Sequence, residues 1–230
     1  MIEVSTHNSC KLACREAADD LVKSLKDHAN KKCLLLVSGG SSAKVADWAA
    51  SDLDINVTNS TDLAQVDERF GAVGHDNSNW RYLTERGLNP DIFNQHIEIL
   101  KLGVSAADIA ITYSKQLQHL IDEANYKVVL LGLGEDGHIA GMLPMADEAK
   151  FDELFLGGSL VASYVGDTHE RITITAKALL QMDKIVVYAC GPAKLGAVNE
   201  LNNPHNIHEY PAEILKRCNN VVVHYGSEET

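Results

Sequence analysis

The chain has 230 residues, 45% of them hydrophobic and 23% charged, which suits one α/β domain with a substantial buried core. Its formal net charge of −12 excludes a nucleic-acid or anionic-membrane partner held by bulk attraction, so an anionic ligand would need local cations and backbone amides. No apolar run approaches the roughly 18 residues of a spanning helix, and the N-terminus lacks a basic region followed by an apolar one, so neither a membrane span nor a secretory signal is expected.

Taken in chain order, His7 to about Ala29 has the apolar stripe of an amphipathic helix, through Leu12, Ala13, Ala17, Leu21, Val22 and Leu25. Cys33 to Val37 is a continuous apolar run and predicts a buried strand. It runs into Ser38-Gly39-Gly40-Ser41-Ser42 and a helical stretch from about Ala43 to Ala50. A strand, a small-residue turn and a helix form an anion cradle when the turn amides and the helix N-terminus face one point. The spacing is not that of a Walker motif, and on its own the segment is equally a structural turn.

Polar residues dilute any strand between Asp54 and Val66. Asp67-Glu68-Arg69 then places three charges together, and Asn77-Ser78-Asn79 caps a short helix reaching about Arg86. Ile97 to Leu102 predicts a strand, and Ala106 to Glu123 a long helix. Val128 to Leu131 predicts a strand buried on both faces, followed at once by Gly132, Gly134 and Gly137 with Glu135, Asp136 and His138 among and after them. Met145 to Gly158 reads as loop with a short helix. Leu160–Val165, Arg171–Thr175 and Lys184–Ala189 predict strands. A helix from about Pro192 to Leu201 carries Lys194 in its first turn, and Pro211–Cys218 and Asn220–His224 predict a last helix and strand. Alternating strands and helices imply a single α/β domain over 1–230, with a mostly parallel, Rossmann-like sheet sandwiched by helices.

Gly132-Leu-Gly134-Glu-Asp-Gly137 also matches the G-x-G-x-x-G dinucleotide fingerprint. That fingerprint needs a long helix facing the diphosphate. Here Pro144 allows two turns at most, and Glu135 and Asp136 would meet the phosphates. An acid/base reading of Asp136 and His138 fits better. The carboxyl ends of parallel strands converge on one edge, so Ser38–Ser42, Asp67–Arg69, Gly132–His138 and Gly191–Lys194 are expected to line one pocket.

Five cysteines, at 10, 14, 33, 190 and 218, lack metal-finger spacing. As free thiols they point to a reducing compartment, the cytoplasm. Cys10 and Cys14 read as small buried apolar residues of the first helix, and His205 and His208 as structural or surface residues of a loop. No metal site and no cofactor are expected.

The sequence resembles the 6-phosphogluconolactonase family, which is related to glucosamine-6-phosphate deaminases and isomerases. The resemblance rests on SGGSS at 38–42, DER at 67–69 with SN at 78–79, GLGEDGHIAGMLP at 132–144, ERITIT at 170–175 and GPAK at 191–194. These blocks occur in family order between about residues 33 and 195, with a looser match at Tyr210-Pro211-Ala212. The chain departs from the family pattern at Ser41-Ser42-Ala43, at Phe70-Gly71 and within Ala140–Pro144, changes that bear on the shape of the sugar pocket. The related deaminases carry a glutamate before the proline, where this chain has Leu143 before Pro144.

The resemblance implies a sugar isomerase/deaminase-type α/β fold and hydrolysis of 6-phospho-D-glucono-1,5-lactone in the oxidative pentose phosphate pathway. The substrate is then a small sugar phosphate; the oligomeric state stays open. The expected catalytic residues are His138, Asp136 and Asp67. The expected substrate and phosphate contacts are Gly39, Gly40, Ser41, Ser42, Arg69, Arg171 and Lys194.

Overall fold

A computed structural model of the chain describes residues 2–166 and 168–228. Its first half comprises β1 (Glu3–His7), α1 (Cys10–Lys26), β2 (Cys33–Val37), α2 (Ala43–Asp52), α3 (Ile55–Thr58), β3 (Thr61–Gln65), β4 (Asp67–Arg69), α4 (Asn79–Glu85), β5 (Gln95–His96) and α5 (Ala106–Glu123). Its second half comprises β6 (Tyr126–Gly132), α6 (Glu148–Phe151), β7 (Val161–Val165), β8 (Glu170–Ile174), α7 (Ala176–Leu179), β9 (Lys184–Cys190), α8 (Leu195–Glu200) and β10 (Val221–Gly226). Seven strands form a parallel sheet in the order β1-β10-β9-β6-β2-β3-β5, and β4, β8 and β7 form a small antiparallel one. The parallel α/β architecture is the one expected from the alternation of elements.

The apolar runs are continuous because β2 and β6 are covered on both sides. Leu35, Val37, Val128 and Leu130 face the core under α1 and α2. Leu34, Leu36, Val129 and Leu131 face the opposite core, with α5 and the small sheet. Each such side chain contributes roughly 1.5–3 kcal/mol on burial, so a polar residue on either side would be costly. The helix starts are fixed by side-chain caps: Ser9 accepts from the Leu12 amide, Ser78 from Arg81 and Ser105 from Asp108. Among the described residues, no helix is long and apolar enough to cross a membrane.

Several expectations need correction. The first helix begins at Cys10, because residues 3–7 form β1, an edge strand beside β10 that carries no apolar run to betray it. The strand expected over Ile97–Leu102 is only Gln95–His96, followed by a 3-10 turn at Ile99–Lys101. The Gln65 side-chain oxygen takes the Ile99 amide at 2.9 Å, and Ile99 and Leu100 turn into the core instead of continuing the ladder. The helix expected from Pro192 is a 3-10 turn, Pro192–Lys194, leading into α8. The cysteines are not all free. Cys10 and Cys190, 180 residues apart, form a disulfide joining the start of α1 to the end of β9, while Cys14, Cys33 and Cys218 are free. The thiol argument for a reducing compartment therefore loses two of its five residues.

Candidate active site

From β2 the chain moves outward to β3, and from β6 it moves the other way to β9. Neighbouring β2 and β6 thus flank the topological switch point, where the carboxyl ends of the strands leave a crevice. A cavity of about 200 Å³ opens there, lined by residues 38–41, Asp67, Arg69, Asn79, Gly132, Leu133, His138, Ala140, Arg171 and Lys194. The four sequence blocks do meet, although not all at parallel strand ends. Asp67–Arg69 and Arg171 arrive on the small sheet, where β4 and β8 pair antiparallel and put Arg69 directly opposite Arg171.

The turn after β6 is closed by the Gly134 amide bonding the His138 carbonyl at 2.8 Å and the Gly137 amide bonding the Gly134 carbonyl at 3.1 Å. No helix follows, which disposes of the dinucleotide geometry. The Asp136 carboxylate holds His138 Nδ1 at 2.6 Å and accepts the His138 amide at 3.1 Å. Gly134 is required for that fit, since a Cβ there would lie 2.1 Å from His138 Nδ1. Burial acts to raise the Asp136 carboxyl, but the imidazole beside it and the bonds from His138 prevail and hold it below its ordinary value. Asp136 is therefore held ionised beside a half-exposed imidazole. Asp136 itself sits behind His138 and does not line the cavity.

Asp67 does line it, but its hydrogen bonds run elsewhere: Asn79 Nδ2 donates to its carboxylate at 3.0 Å and to its carbonyl at 3.1 Å. The orienting partner of His138 is thus Asp136, and not Asp67. Burial pushes the Asp67 carboxyl up, the Glu68 charge adds to this, and Arg69, Arg171 and His138 oppose it. Because the folded state binds this proton more tightly than the unfolded chain, stability from this group is present at low pH and is lost as pH rises from the ordinary value through the raised one. Asp67→Asn removes that loss. Urea unfolding at pH 3.5 and pH 7 is expected to show the variant gaining stability relative to wild type at the higher pH; an equal difference at both would refute this.

Of the expected contacts, Ser42 does not line the cavity. Its hydroxyl is fully buried and donates to the Ser38 and Gly39 carbonyls, at 3.2 and 2.8 Å, so it braces the turn from behind. Gly39, Gly40 and Ser41 do line the cavity, as does Lys194. The Nε atoms of Arg69 and Arg171 and the Ser38 hydroxyl are buried and have no hydrogen-bond partner among the described residues. Like charges opposed across a strand pair are unfavourable, and buried donors without acceptors cost about 1–3 kcal/mol each. A bound anion would relieve both. The site is a cationic cradle around a single carboxylate, set in a strongly acidic protein.

Four supporting residues were not among those expected. Asn79 lines the cavity and fixes Asp67; Ser78-Asn79 stands in the sequence as a helix cap and as part of the family resemblance, without a site role of its own. Ala140, also in the wall, holds φ at 53°, a conformation costing about 1–3 kcal/mol for a residue with a Cβ. The Thr173 hydroxyl, accepting the Gly141 amide at 2.8 Å, helps to hold it. Glu68, fully buried, accepts from the Asn79 and Arg69 amides at 2.6 and 2.8 Å and from the Trp80 amide, Ser78 Oγ and Gln65 Nε2 at 2.9, 3.0 and 3.1 Å. It ties the first turn of α4 to β4. Glu68→Gln would set an amide N–H₂ against those donors and is expected to destabilise the fold by about 3 kcal/mol, read as the urea midpoint at pH 7. A shift below about 1 kcal/mol would deny Glu68 this role.

His205 and His208 pair with Glu200 and Asp152, at 2.9 and 2.8 Å, which agrees with their reading as structural residues. No cluster able to hold a metal ion occurs among the described residues.

The family model for glucosamine-6-phosphate isomerases/6-phosphogluconolactonase matches residues 8–224. The chain is 26% identical over 186 residues to probable 6-phosphogluconolactonase 1 of Arabidopsis thaliana, covering 71% of this chain and 66% of the relative, just short of two thirds. It is also 26% identical over 240 residues to a glucosamine-6-phosphate deaminase of Staphylococcus epidermidis, covering 96% of this chain and 95% of that one. The crystal structure of a 6-phosphogluconolactonase from Shewanella baltica superimposes with a TM-score of 0.79 at 19% identity, over 99% of this chain and 98% of the other. With a match spanning nearly the whole sequence, and with a parallel sheet, crevice and motif order to go with it, the chain belongs to the glucosamine-6-phosphate isomerase/6-phosphogluconolactonase family.

Proposed function

We propose that the protein hydrolyses 6-phospho-D-glucono-1,5-lactone to 6-phospho-D-gluconate, a step of the oxidative pentose phosphate pathway acting on soluble sugar phosphates of the cytoplasm. The observation that carries this reading is His138 on the wall of the cavity, held from behind by Asp136 at 2.6 Å, with the buried Nε atoms of Arg69 and Arg171 without hydrogen-bond partners among the described residues. With Asp136 accepting the Nδ1 proton, Nε2 of His138 is the basic nitrogen. It takes a proton from water as the water oxygen bonds to the lactone C1. The carbonyl oxygen becomes an oxyanion, for which the Arg69 and Arg171 N–H groups and the Gly39–Gly40 amides are the available donors. Collapse breaks the C1–O5 bond, and the departing C5 oxygen takes the proton back from His138. The new acid then ionises. Lys194 and the turn at residues 39–41 are assigned to the phosphate. A δ-lactone is already a reactive ester, so this chain's residues suffice for the reaction.

The Staphylococcus relative makes sugar-phosphate deamination the second reading. That chemistry moves a carbon-bound proton and opens a ring, and it gains from a further carboxylate. Asp67 is the only carboxylate among the described residues lining the cavity. Leu143, where the deaminases carry an acid, lies in a groove beside His138. Incubating the protein separately with the phosphorylated lactone and with glucosamine 6-phosphate separates the two readings. Acid release above the spontaneous rate, without ammonia, is the expected result. Ammonia release would transfer the assignment to deamination, and binding of either sugar phosphate without turnover would mean a sensor.

A further inference from the structure

Residues 201–210 connect α8 to the 3-10 helix Pro211–Arg217. Within this connection, Tyr210 touches both functional halves of the site. Its ring packs against Gly137, next to His138, so closely that a Cβ on Gly137 would lie 2.1 Å from Tyr210 Cδ2. Gly137 holds φ at +78°, and its carbonyl accepts the Ala212 amide at 2.9 Å, so the same segment clamps it twice. At its other end, the Tyr210 hydroxyl donates to the Ala197 carbonyl in α8. Ala197 lies about one turn beyond Lys194, the residue immediately before that helix. The tyrosine is 8% exposed, and its hydroxyl is buried.

We propose that Tyr210 is a positioning residue: it sets the spacing between the His138 turn and the Lys194-bearing helix, and so holds the lactone carbonyl at the base while the phosphate is bound. This rests on the roles given above to His138 and Lys194. A rigid aromatic spacer suits the task. Ring packing fixes one end, one directional hydrogen bond fixes the other, and only two side-chain torsions lie between. A buried tyrosine that merely filled the core would need a hydroxyl acceptor somewhere. The acceptor here lies on the element that carries the phosphate cation, while the ring lies on the element that carries the base.

The two ends can be tested separately. Tyr210→Phe keeps the ring and removes the link to Ala197. It is expected to raise KM for the phosphorylated lactone about two- to tenfold, the loss of one neutral hydrogen bond. The kcat on that substrate, and both constants for unphosphorylated gluconolactone, should stay within about twofold, because the turn is still clamped. Tyr210→Leu also removes the ring and is expected to lower kcat about tenfold or more on both lactones, since small displacements of a base are costly to rate. Thermal unfolding of each variant accompanies the kinetics. A shifted midpoint with unchanged constants would reduce Tyr210 to a core residue, and equal KM changes for the two lactones in Tyr210→Phe would break the assigned link to the phosphate arm. Calorimetric titration with inorganic phosphate gives a readout independent of turnover: wild type should bind it about two- to tenfold more tightly than Tyr210→Phe. If wild type hydrolyses neither lactone, the proposed activity fails, while the phosphate titration still decides the positioning role; equal affinities there overturn it.

Discussion

His138→Ala is expected to lower kcat for the phosphorylated lactone by about 10²–10⁴-fold, the usual contribution of a positioned general base. Among the described residues lining the cavity, His138 is the only histidine, and the Asp136 carboxylate on its Nδ1 would stabilise the cation formed in catalysis. Asp67, the other titratable candidate, is tied to Asn79 and surrounded by arginines. The loss should fall on unphosphorylated gluconolactone as well, because the base acts on the water and not on the phosphate. Spontaneous hydrolysis of a fresh lactone sets the floor and must be subtracted. Unchanged circular dichroism and thermal midpoint would confirm that the half-exposed histidine contributes little to folding. Turnover within about threefold of wild type would remove His138 from the base role and turn attention to Asp67.

Lys194→Ala should separate recognition from chemistry. Loss of one charged hydrogen bond to the phosphate costs about 1.5–3 kcal/mol, or roughly 10- to 150-fold in binding. KM for the phosphorylated lactone should rise by that factor, while gluconolactone, which lacks the phosphate, should be hydrolysed with nearly unchanged constants. The same logic applies to raised salt, which weakens the phosphorylated substrate selectively. In a chain of net charge −12, the cations gathered in the crevice are the principal attraction a dianion can find there. Arg69 and Arg171, half-buried and opposed across β4 and β8 with their Nε atoms enclosed, are expected to be harder to replace, because each also belongs to the small sheet. Equal effects of Lys194→Ala on both lactones would show that the lysine belongs to the ring or to the fold, and not to the phosphate.

The sequence by itself determined the parallel sheet and pointed to most of the residues that line its crevice. Two-sided burial forces continuous apolar runs, so β2, β6 and β9 stand out, and helix caps such as Ser78 and Ser105 leave local signatures. Glycines with Asp136 and His138 after β6, and small residues after β2, mark strand ends where a ligand can sit. The tertiary structure decided what depends on partners distant in sequence. β1 is a polar edge strand known only by its pairing with β10, and the pairing of Cys10 with Cys190 joins residues brought together by α1 and β9. Glu68 and Asn79 belong to blocks legible in the sequence, but their bonds to one another and to Asp67 exist only once β4 and α4 enclose them, and only the fold turns the Ser42 hydroxyl inward. The choice of Asp136 over Asp67 as the partner of His138 was likewise made in space. A two-residue spacing leaves both the tight turn and the rival acid possible, and only the turn geometry brings one carboxylate to Nδ1 while Asn79 and burial engage the other.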